Sequence, residues 1–401
     1  MRNKSFLSLP GRLLTAFAVA MLVVSCATPG PRLAVPSNLV SEASVTGFTQ
    51  VRFWGDQKPT NIAEISKKKF AQTRAARPHR ARRGARPSID YLAISGGGAD
   101  GAFGAGLLVG WTKSGKRPEF EIVTGVSTGA LIAPFAFLGK AYDPVLREIY
   151  TTYTTKDFLR KQPLKGLVGG NSLASDVPFQ RLIAKYVDEK LMAAIAAEHN
   201  KGRRLLVGTT NLDAQRPVIW DVGKIAASGN PQSLALMRQV FLASASIPAM
   251  FPPVLIDVTA DGTRYQEMHV DGGTTTQVFL IPSQLMLAKI DRKYGVKPRR
   301  RVFIIRNGRV SPETKPVRDR TLSIASRSIS TLIKYQGIGD LYQLNTFSRR
   351  NGIQYRLAYI QKDFKDTSKE VFDKSYMNRL FDMAYQQGAR GYRWKTEPPG
   401  Y

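Results

Sequence analysis

The stretch ISGGGADGAFGAG, residues 94–106, joins a short apolar run to a segment of small residues. Glycine has no Cβ, so consecutive glycines let the backbone come very close to another group. The preceding run, Ile89 to Ile94, predicts a strand, and Ala102 to Trp111 predict a helix. A glycine loop between a strand and a helix approaches either a cofactor phosphate or the charge that develops in a reaction.

Apolar runs alternate with helix-like segments along the rest of the chain. Strands are predicted at 120–124, 205–209, 218–222, 268–271 and 302–305, and helices at about 128–138, 178–197, 320–335 and 376–385. This alternation predicts one α/β domain of three layers, α/β/α, with a mainly parallel or mixed central sheet.

The first reading of the glycine loop is a dinucleotide site, because Gly96, Gly98 and Gly101 match G-x-G-x-x-G between a strand and a helix. That site needs an acid near the end of the next strand to bind the ribose. Glu119 and Glu121 lie before that strand or at its start. A nicotinamide-dependent oxidoreductase is therefore the weaker alternative.

The second strand leads instead into GVSTG, residues 125–129. Ser127 lies between Gly125 and Gly129 on a predicted turn from strand to helix, the arrangement of a nucleophile elbow. A serine nucleophile needs a base and an oxyanion hole. The backbone N–H groups of Gly96, Gly97 and Gly98 are candidates for the oxyanion hole.

The base is predicted to be an aspartate. The chain has three histidines, His79, His199 and His269, and none of them follows Asp271. Asp271 ends a predicted strand, and Gly272-Gly273 makes the turn after it. A Ser127–Asp271 dyad therefore fits best. His269 lies two residues before Asp271 on the same strand face and stays open as an alternative base.

At this point the sequence resembles the patatin-like phospholipases. The glycine loop 96–101, the elbow 125–129 and Asp271-Gly272-Gly273 occur in that family's order, with SASIPAMFPPV, residues 244–254, ahead of the aspartate. The resemblance is firm over about residues 88–310. Residues 372–394 look like the C-terminal helix of bacterial lipoprotein members, so the domain is predicted to end at about residue 394.

The resemblance implies a lipid acyl hydrolase of the phospholipase A or lysophospholipase type, acting in lipid breakdown or remodelling without a metal or cofactor. Ser127 would attack the ester, Asp271 would accept its proton, and an acyl-enzyme would form. Asp100 departs from the family, where many members carry Arg or Lys, and we expect it to point away from the oxyanion. A lipid-binding lipoprotein without turnover is the alternative function.

The N-terminus predicts export. Basic residues precede an apolar run, residues 13–24, which is too short to span a bilayer and fits a secretory signal. Cys26, the only cysteine, ends a sequence that resembles a bacterial lipobox. We expect a lipid anchor at Cys26 in the cell envelope. In a Gram-negative cell we expect the outer membrane, because the residue after the cysteine is Ala27 and not the aspartate that signals retention in the inner membrane. Ordinary signal cleavage, with an incidental cysteine, is the alternative.

The charge of the chain points to anionic partners. Lys and Arg number 59 against 30 Asp and Glu, a formal charge of +29. For an exported protein this favours an anionic membrane surface over nucleic acid. Residues 67–86 carry nine basic side chains and no acid, and are either a solvated linker or a contact with anionic lipid. The predicted parts are a signal at 1–25, a tether and basic linker at 26–87, the domain at 88–394 and a tail at 395–401.

Overall fold

A computed structural model describes residues 32–161 and 170–400 of the chain. The predicted signal segment 1–25 and the predicted lipidation site Cys26 lie outside these residues and stay predictions. The strands of the described residues are β1 Ser44–Val45, β2 Arg52–Trp54, β3 Ser88–Ile94, β4 Phe120–Val126, β5 Arg160–Lys161, β6 Ala174–Ser175, β7 Arg204–Asn211, β8 Arg216–Asp221, β9 Val254–Ala260, β10 Thr263–Asp271, β11 Arg299–Arg309 and β12 Ile353–Ile360.

The helices of the same residues are α1 Ile62–Ala76, α2 Pro78–Ala81, α3 Gly101–Lys113, α4 Thr128–Leu138, α5 Asp143–Thr152, α6 Thr155–Phe158, α7 Val177–Tyr186, α8 Glu189–Asn200, α9 Val222–Ala226, α10 Ser233–Ser244, α11 Leu287–Tyr294, α12 Thr321–Arg350 and α13 Lys374–Arg390. The segment predicted as one helix at 178–197 is two, because the chain turns at Val187 and Asp188 caps α8 by accepting the Leu191 N–H.

The central sheet is built around five parallel strands in the order β7-β4-β3-β11-β12. Antiparallel strands extend it: β8 and β10 pair with β7, β9 pairs with β10, and β1 and β2 add to β9 and β8. The sheet is therefore mixed with a parallel centre, as the sequence predicts.

Alternate residues of the central strands enter two separate cores, which gives the three layers. On β3, Leu92 and Ile94 face one core, which α3, α4, α5, α10 and α13 cover. Tyr91 and Ala93 face the other core, which α11 and α12 cover. The predicted α/β/α architecture is confirmed.

Two strands meet end to end along one edge of β7. The residues of β7 from Leu206 onward pair with β8 on one edge, so β4 and β10 must share the other edge. On that edge Val126, the last residue of β4, pairs with Gly208, and Asp271, the last residue of β10, pairs with Thr209. Because β10 runs antiparallel to β7, the two strand ends point at each other.

Helices α3 and α13 pack with their backbones in contact. A Cβ on Gly106 would lie 2.2 Å from the Phe381 carbonyl oxygen, and one on Gly110 would lie 2.1 Å from that of Tyr385. From the other side, a Cβ on Gly388 would lie 2.6 Å from the Leu107 carbonyl oxygen. The small residues after the glycine loop are thus needed to seat the C-terminal helix against α3.

The basic segment before the domain is folded, which corrects the predicted linker. Residues 62–76 form α1, and Lys69, Arg77 and Arg80 all bind the buried carboxylate of Glu121. This cluster lowers the pKa of Glu121 to about 2, overcoming the burial that opposes it. The run of basic residues therefore includes a clamp on the N-terminal end of β4.

The C-terminal residues also pack on the domain, contrary to the predicted tail. Lys395 pairs with Leu357 of β12, and the Tyr342 hydroxyl donates to the Pro399 carbonyl. None of the helices in residues 32–161 and 170–400 combines the length and apolar character needed to span a bilayer.

We expect Gly110→Ala to lower the free energy of unfolding by about 1–3 kcal/mol, because the new methyl group collides with the backbone of α13. Gly339→Ala is the matched control, since Gly339 is also helical and a Cβ there would meet nothing within 4 Å. The control should be neutral or stabilising by up to about 1 kcal/mol. Urea unfolding measures both, and an equal response of the two variants would contradict the packing described.

Candidate active site

Ser127 occupies a sharp turn between β4 and α4. Its φ of 54° and ψ of −127° are rare for a residue with a side chain, and such strain is found at functional sites. A Cβ on Gly125 would lie 2.3 Å from the Gly129 carbonyl oxygen, and one on Gly129 would lie 2.3 Å from that of Ile94. The glycines of GVSTG are therefore sterically required, as the elbow interpretation predicts.

The serine-rich segment ahead of Asp271 holds both halves of the site. Ser244 Oγ accepts the Ser127 N–H at 3.1 Å and donates to the Gly208 carbonyl at 2.7 Å, which ties the elbow to β7. The Ser246 carbonyl accepts the Asp271 N–H at 2.9 Å. The sequence marks this segment as a family block but does not reveal these two contacts.

Asp271 is buried beside Ser127. Its carboxylate accepts the Gly273 N–H at 2.7 Å, and the Ser127 side chain lies close enough to affect its ionisation. Burial raises the pKa of Asp271 to about 7, although the Ser127 side chain and the Gly273 N–H act in the opposite direction. The structure thus brings together the two residues that the sequence predicts as a dyad.

The position of Asp271 has a different origin from the one expected. The sequence predicts only that Asp271 ends a strand, and sites of open α/β sheets usually lie at the edge where parallel strands end. In the structure β10 is antiparallel, and its end reaches Ser127 only because β10 and β4 meet head to head along β7.

The backbone N–H groups of the glycine loop differ in whether they are already hydrogen-bonded within the protein. The Gly96 N–H donates to the Gln277 carbonyl at 3.1 Å, so it is not available to an oxyanion, which corrects the prediction for this residue. Within residues 32–161 and 170–400, no acceptor binds the N–H of Gly97 or Gly98. Gly98 lines a small cavity together with Ser127. The amides of Gly97 and Gly98 remain as oxyanion donors.

Polar side chains at the end of β11 brace this loop from behind. The Asn307 N–H donates to Ser95 Oγ at 2.8 Å, and its side-chain amide donates to the Ser95 carbonyl at 2.8 Å. The guanidinium of Arg306 donates to Ser95 Oγ and to the Gly96 carbonyl, both at 3.1 Å. The sequence analysis missed these residues. The available signal was two polar residues directly after the apolar run of β11.

Gln277 connects the glycine loop to the aspartate turn. Its carbonyl accepts the Gly96 N–H, and its side-chain amide donates to the Gly273 carbonyl at 2.8 Å. Asp340 of α12 accepts the Gln277 N–H at 2.6 Å. Burial raises the pKa of Asp340 to about 6. The oxyanion loop and the turn that holds Asp271 are therefore parts of one hydrogen-bonded unit.

Asp100 is directed toward α13, in line with the expectation that it avoids the oxyanion. Its carboxylate accepts the Tyr376 hydroxyl at 2.5 Å. Burial raises the pKa of Asp100, and the hydrogen bond from Tyr376 partly offsets this effect. The acid in the glycine loop thus joins the loop to the C-terminal helix.

Among the described residues, no hydrogen bond joins any of the three histidines to Ser127 or Asp271. His269 is fully buried, with Nδ1 bonded to Thr209 at 2.9 Å and Nε2 to Glu267 at 3.0 Å, and burial lowers its pKa. His199 is buried on α8, and His79 is on α2. Both ring nitrogens of His269 are engaged elsewhere, which favours a structural role.

The acid needed for a dinucleotide site is also in the wrong place. Glu121 lies at the start of β4, the end of the strand away from the glycine loop, and binds Lys69 at 2.6 Å. Glu119 lies before β4 and binds Arg77. The described residues contain no group of three or more His, Cys, Asp or Glu side chains that could hold a metal ion.

Apolar side chains line the space next to Ser127. Two cavities of about 30 Å³ each share four lining residues. One of the two cavities is also lined by Ser127 and Gly98. The shared residues are Leu131, Ile149, Phe158 and Phe179. Phe158 stacks on Phe372 with ring centroids 4.1 Å apart. The surroundings of the serine therefore suit a hydrocarbon chain.

Comparison with known proteins identifies the family of this domain. The family model described as "Patatin-like phospholipase" matches residues 92–280, which contain the glycine loop, the elbow and the aspartate turn. The comparison with curated proteins finds no match.

Solved structures give distant likenesses. VipD from Legionella pneumophila has a TM-score of 0.36 and 12% identity, covering 77% of this chain and 68% of VipD. Human GIVD cytosolic phospholipase A2 has a TM-score of 0.34 and 11% identity, covering 85% of this chain and 65% of that one. A chain from the SpcU–ExoU complex of Pseudomonas aeruginosa has a TM-score of 0.20 and 12% identity, covering 77% and 52%.

The chain spans about two thirds of the length of the first two structures. The assignment rests on the family model and on the three motifs that fall within its range. Residues 92–280 therefore form a domain of the patatin-like phospholipase family.

Proposed function

We propose that this protein is a lipid acyl hydrolase that cleaves carboxylic esters with Ser127 as nucleophile and Asp271 as its base. Family membership indicates a lipid hydrolase in general. The observation that supports the finer proposal is the position of Ser127 beside a buried carboxylate whose pKa is raised to about 7. A base with a pKa near the working pH is the most effective proton acceptor.

The reaction would proceed in two steps, acylation of Ser127 and hydrolysis of the acyl-enzyme. Ser127 Oγ attacks the ester carbonyl carbon while its proton passes to Asp271, and the tetrahedral oxyanion receives the N–H groups of Gly97 and Gly98. The C–O bond to the alcohol then breaks, and the alcohol leaves with the proton from Asp271. Water then attacks the acyl carbon while one of its protons passes to Asp271. The bond from the acyl carbon to Ser127 Oγ breaks, Asp271 returns the proton to Ser127, and the fatty acid leaves.

The environment explains how an aspartate could do this work. An exposed aspartate with a pKa near 3.9 is too weak a base at neutral pH. Burial raises the pKa of Asp271 into the range where it both accepts and returns a proton. Each oxyanion donor typically contributes about 2.7–4 kcal/mol to transition-state stabilisation. The apolar cavity beside Ser127 supports an acyl chain as the group that is held.

Removal of the nucleophile tests the proposal directly. We expect Ser127→Ala and Ser127→Gly to lose at least about a thousandfold in kcat/KM on a short-chain ester and on phospholipid. Glycine suits the positive φ at this position, so it guards against strain in the alanine variant. A fluorophosphonate should label the parent protein at Ser127, as located by mass spectrometry.

Ser172→Ala is the matched control and should keep full activity, because among the described residues the Ser172 hydroxyl bonds only the Ala174 carbonyl. Labelling of a different serine, or turnover by folded Ser127→Gly, would contradict the mechanism. Specific lipid binding by the parent without turnover of any ester would favour the alternative, a lipid-binding protein without catalysis.

The raised pKa of Asp271 also predicts how stability depends on pH. An aspartate with a pKa near 3.8 when unfolded and about 7 when folded binds its proton more tightly in the native state. Its contribution to stability therefore falls as the pH rises from about 4 to 7. At pH 8 the ionised, buried carboxylate destabilises the fold by about 4 kcal/mol.

Asp271→Asn removes that charge and should raise the Tm at pH 8 while abolishing activity, with little gain in Tm at pH 4. Asp382→Asn, an exposed change on α13, should alter the Tm little at either pH. Thermal unfolding at the two pH values measures the effect. A loss of Tm in Asp271→Asn that is the same at pH 4 and pH 8 would show that the carboxylate is not destabilised by burial.

A further inference from the structure

The first half of α12 extends past the catalytic end of the sheet. Strand β11 ends beside the glycine loop, and α12 runs back from there to β12, which is parallel to β11. Among the side chains that the structure describes, Gly337 is the first buried residue of α12, and a Cβ on it would lie 3.0 Å from the Arg306 guanidinium. Residues 321–336 therefore reach about 24 Å beyond that contact, at 1.5 Å per residue.

This half of α12 exposes large apolar side chains. Leu332 is 70% exposed, Tyr335 62% and Ile329 56%, and Ile324 and Ile333 are also exposed. We call these five side chains the apolar face of α12. With Val317, just before the helix, they make up half of the exposed large hydrophobic residues in the described part of the chain. Contiguous exposed apolar surface of this kind marks an interaction site.

The polar side of the same helix is fastened to the protein. Arg327 donates to the Glu313 carbonyl, and Lys334 donates to the Ser311 carbonyl and to the Glu313 carboxylate. At 100° per residue, Ile329 and Leu332 lie about 140–160° round the helix from both cations. The hydrogen bonds that fasten the helix thus leave Ile329 and Leu332 exposed.

The charge beside the apolar face selects its partner. The segment before α12 presents three exposed cations, Lys315, Arg318 and Arg320, with Asp319 as the acid among them. A second copy of the chain, paired about a two-fold axis, would bring two such cationic segments together. An anionic lipid surface attracts them instead, and helices with an apolar face and a basic fringe bind such surfaces.

We propose that the apolar face of α12 enters the surface of an anionic bilayer and holds the catalytic end of the sheet toward it. The inference rests on the proposed lipid substrate, because it supplies the geometry for an enzyme whose substrate lies in a membrane. It assigns the docking surface to the first half of α12, which begins at the same end of the sheet as the glycine loop.

Vesicle sedimentation tests the proposal with the chain from residue 27 onward, which keeps every described residue and lacks the predicted lipid anchor. The vesicles are phosphatidylcholine with or without phosphatidylglycerol. We expect binding to the anionic vesicles that weakens with added salt. Ile329→Gln combined with Leu332→Gln should lower the partition coefficient at least about tenfold, because two aliphatic side chains no longer leave water.

Leu33→Gln combined with Leu255→Gln is the matched control, since both side chains are exposed far from α12 in sequence. It should bind vesicles like the parent. Hydrolysis of a soluble short-chain ester should be equal in all three proteins, whereas hydrolysis of vesicle lipid should fall with binding in the α12 variant alone. Arg318→Gln with Arg320→Gln should weaken binding to anionic vesicles and leave binding to neutral vesicles unchanged.

Equal vesicle binding by the parent and the α12 variant would overturn the proposal. So would a parent dimer in sedimentation velocity that becomes a monomer in the α12 variant while vesicle binding stays constant, because the face would then bind a second copy. A parent that binds vesicles through α12 but hydrolyses neither substrate would contradict the proposed hydrolase and still support the docking surface.

Discussion

The end-to-end meeting of β4 and β10 along one edge of β7 is the constraint on which the site depends. Only this arrangement lets the last residue of an antiparallel strand face the turn that follows a parallel one. The approach is so close that a Cβ on Gly272 would lie 2.4 Å from the Gly208 carbonyl oxygen. The proximity of Ser127 to Asp271, and the burial that raises the pKa of Asp271, both follow from it.

A buried polar unit behind the glycine loop keeps that geometry fixed. Arg306 and Asn307 hold Ser95 and Gly96, while Gln277 links Gly96 to Gly273. Burying a guanidinium and the carboxylate of Asp340 costs free energy, so their retention fits a role in orientation better than one in stability. Because Asp340 belongs to α12, the same helix that carries the exposed apolar face also supports the loop of the site.

Much of the domain could be predicted from the sequence because its signals are local. The GVSTG turn, the glycine loop and the strand that ends at Asp271 each have a steric or periodic cause within a few residues, and the three layers follow from alternating strands and helices. The antiparallel direction of β10 and the bracing by Arg306 and Asn307 depend on contacts more than two hundred residues apart in some cases. The helical part of the basic segment could not be predicted, because Glu121, which binds Lys69, is distant from it in sequence.

The most direct test of the account is the pH dependence of fluorophosphonate labelling at Ser127 in the parent protein and in His269→Gln. A buried aspartate that activates the serine must lose its proton first, so the labelling rate should rise with pH through a midpoint near 7. The same midpoint should appear in His269→Gln, whose histidine has both nitrogens engaged by Thr209 and Glu267. A folded His269→Gln that no longer labels, or that labels without this midpoint, would show that the histidine is the base and would contradict the dyad.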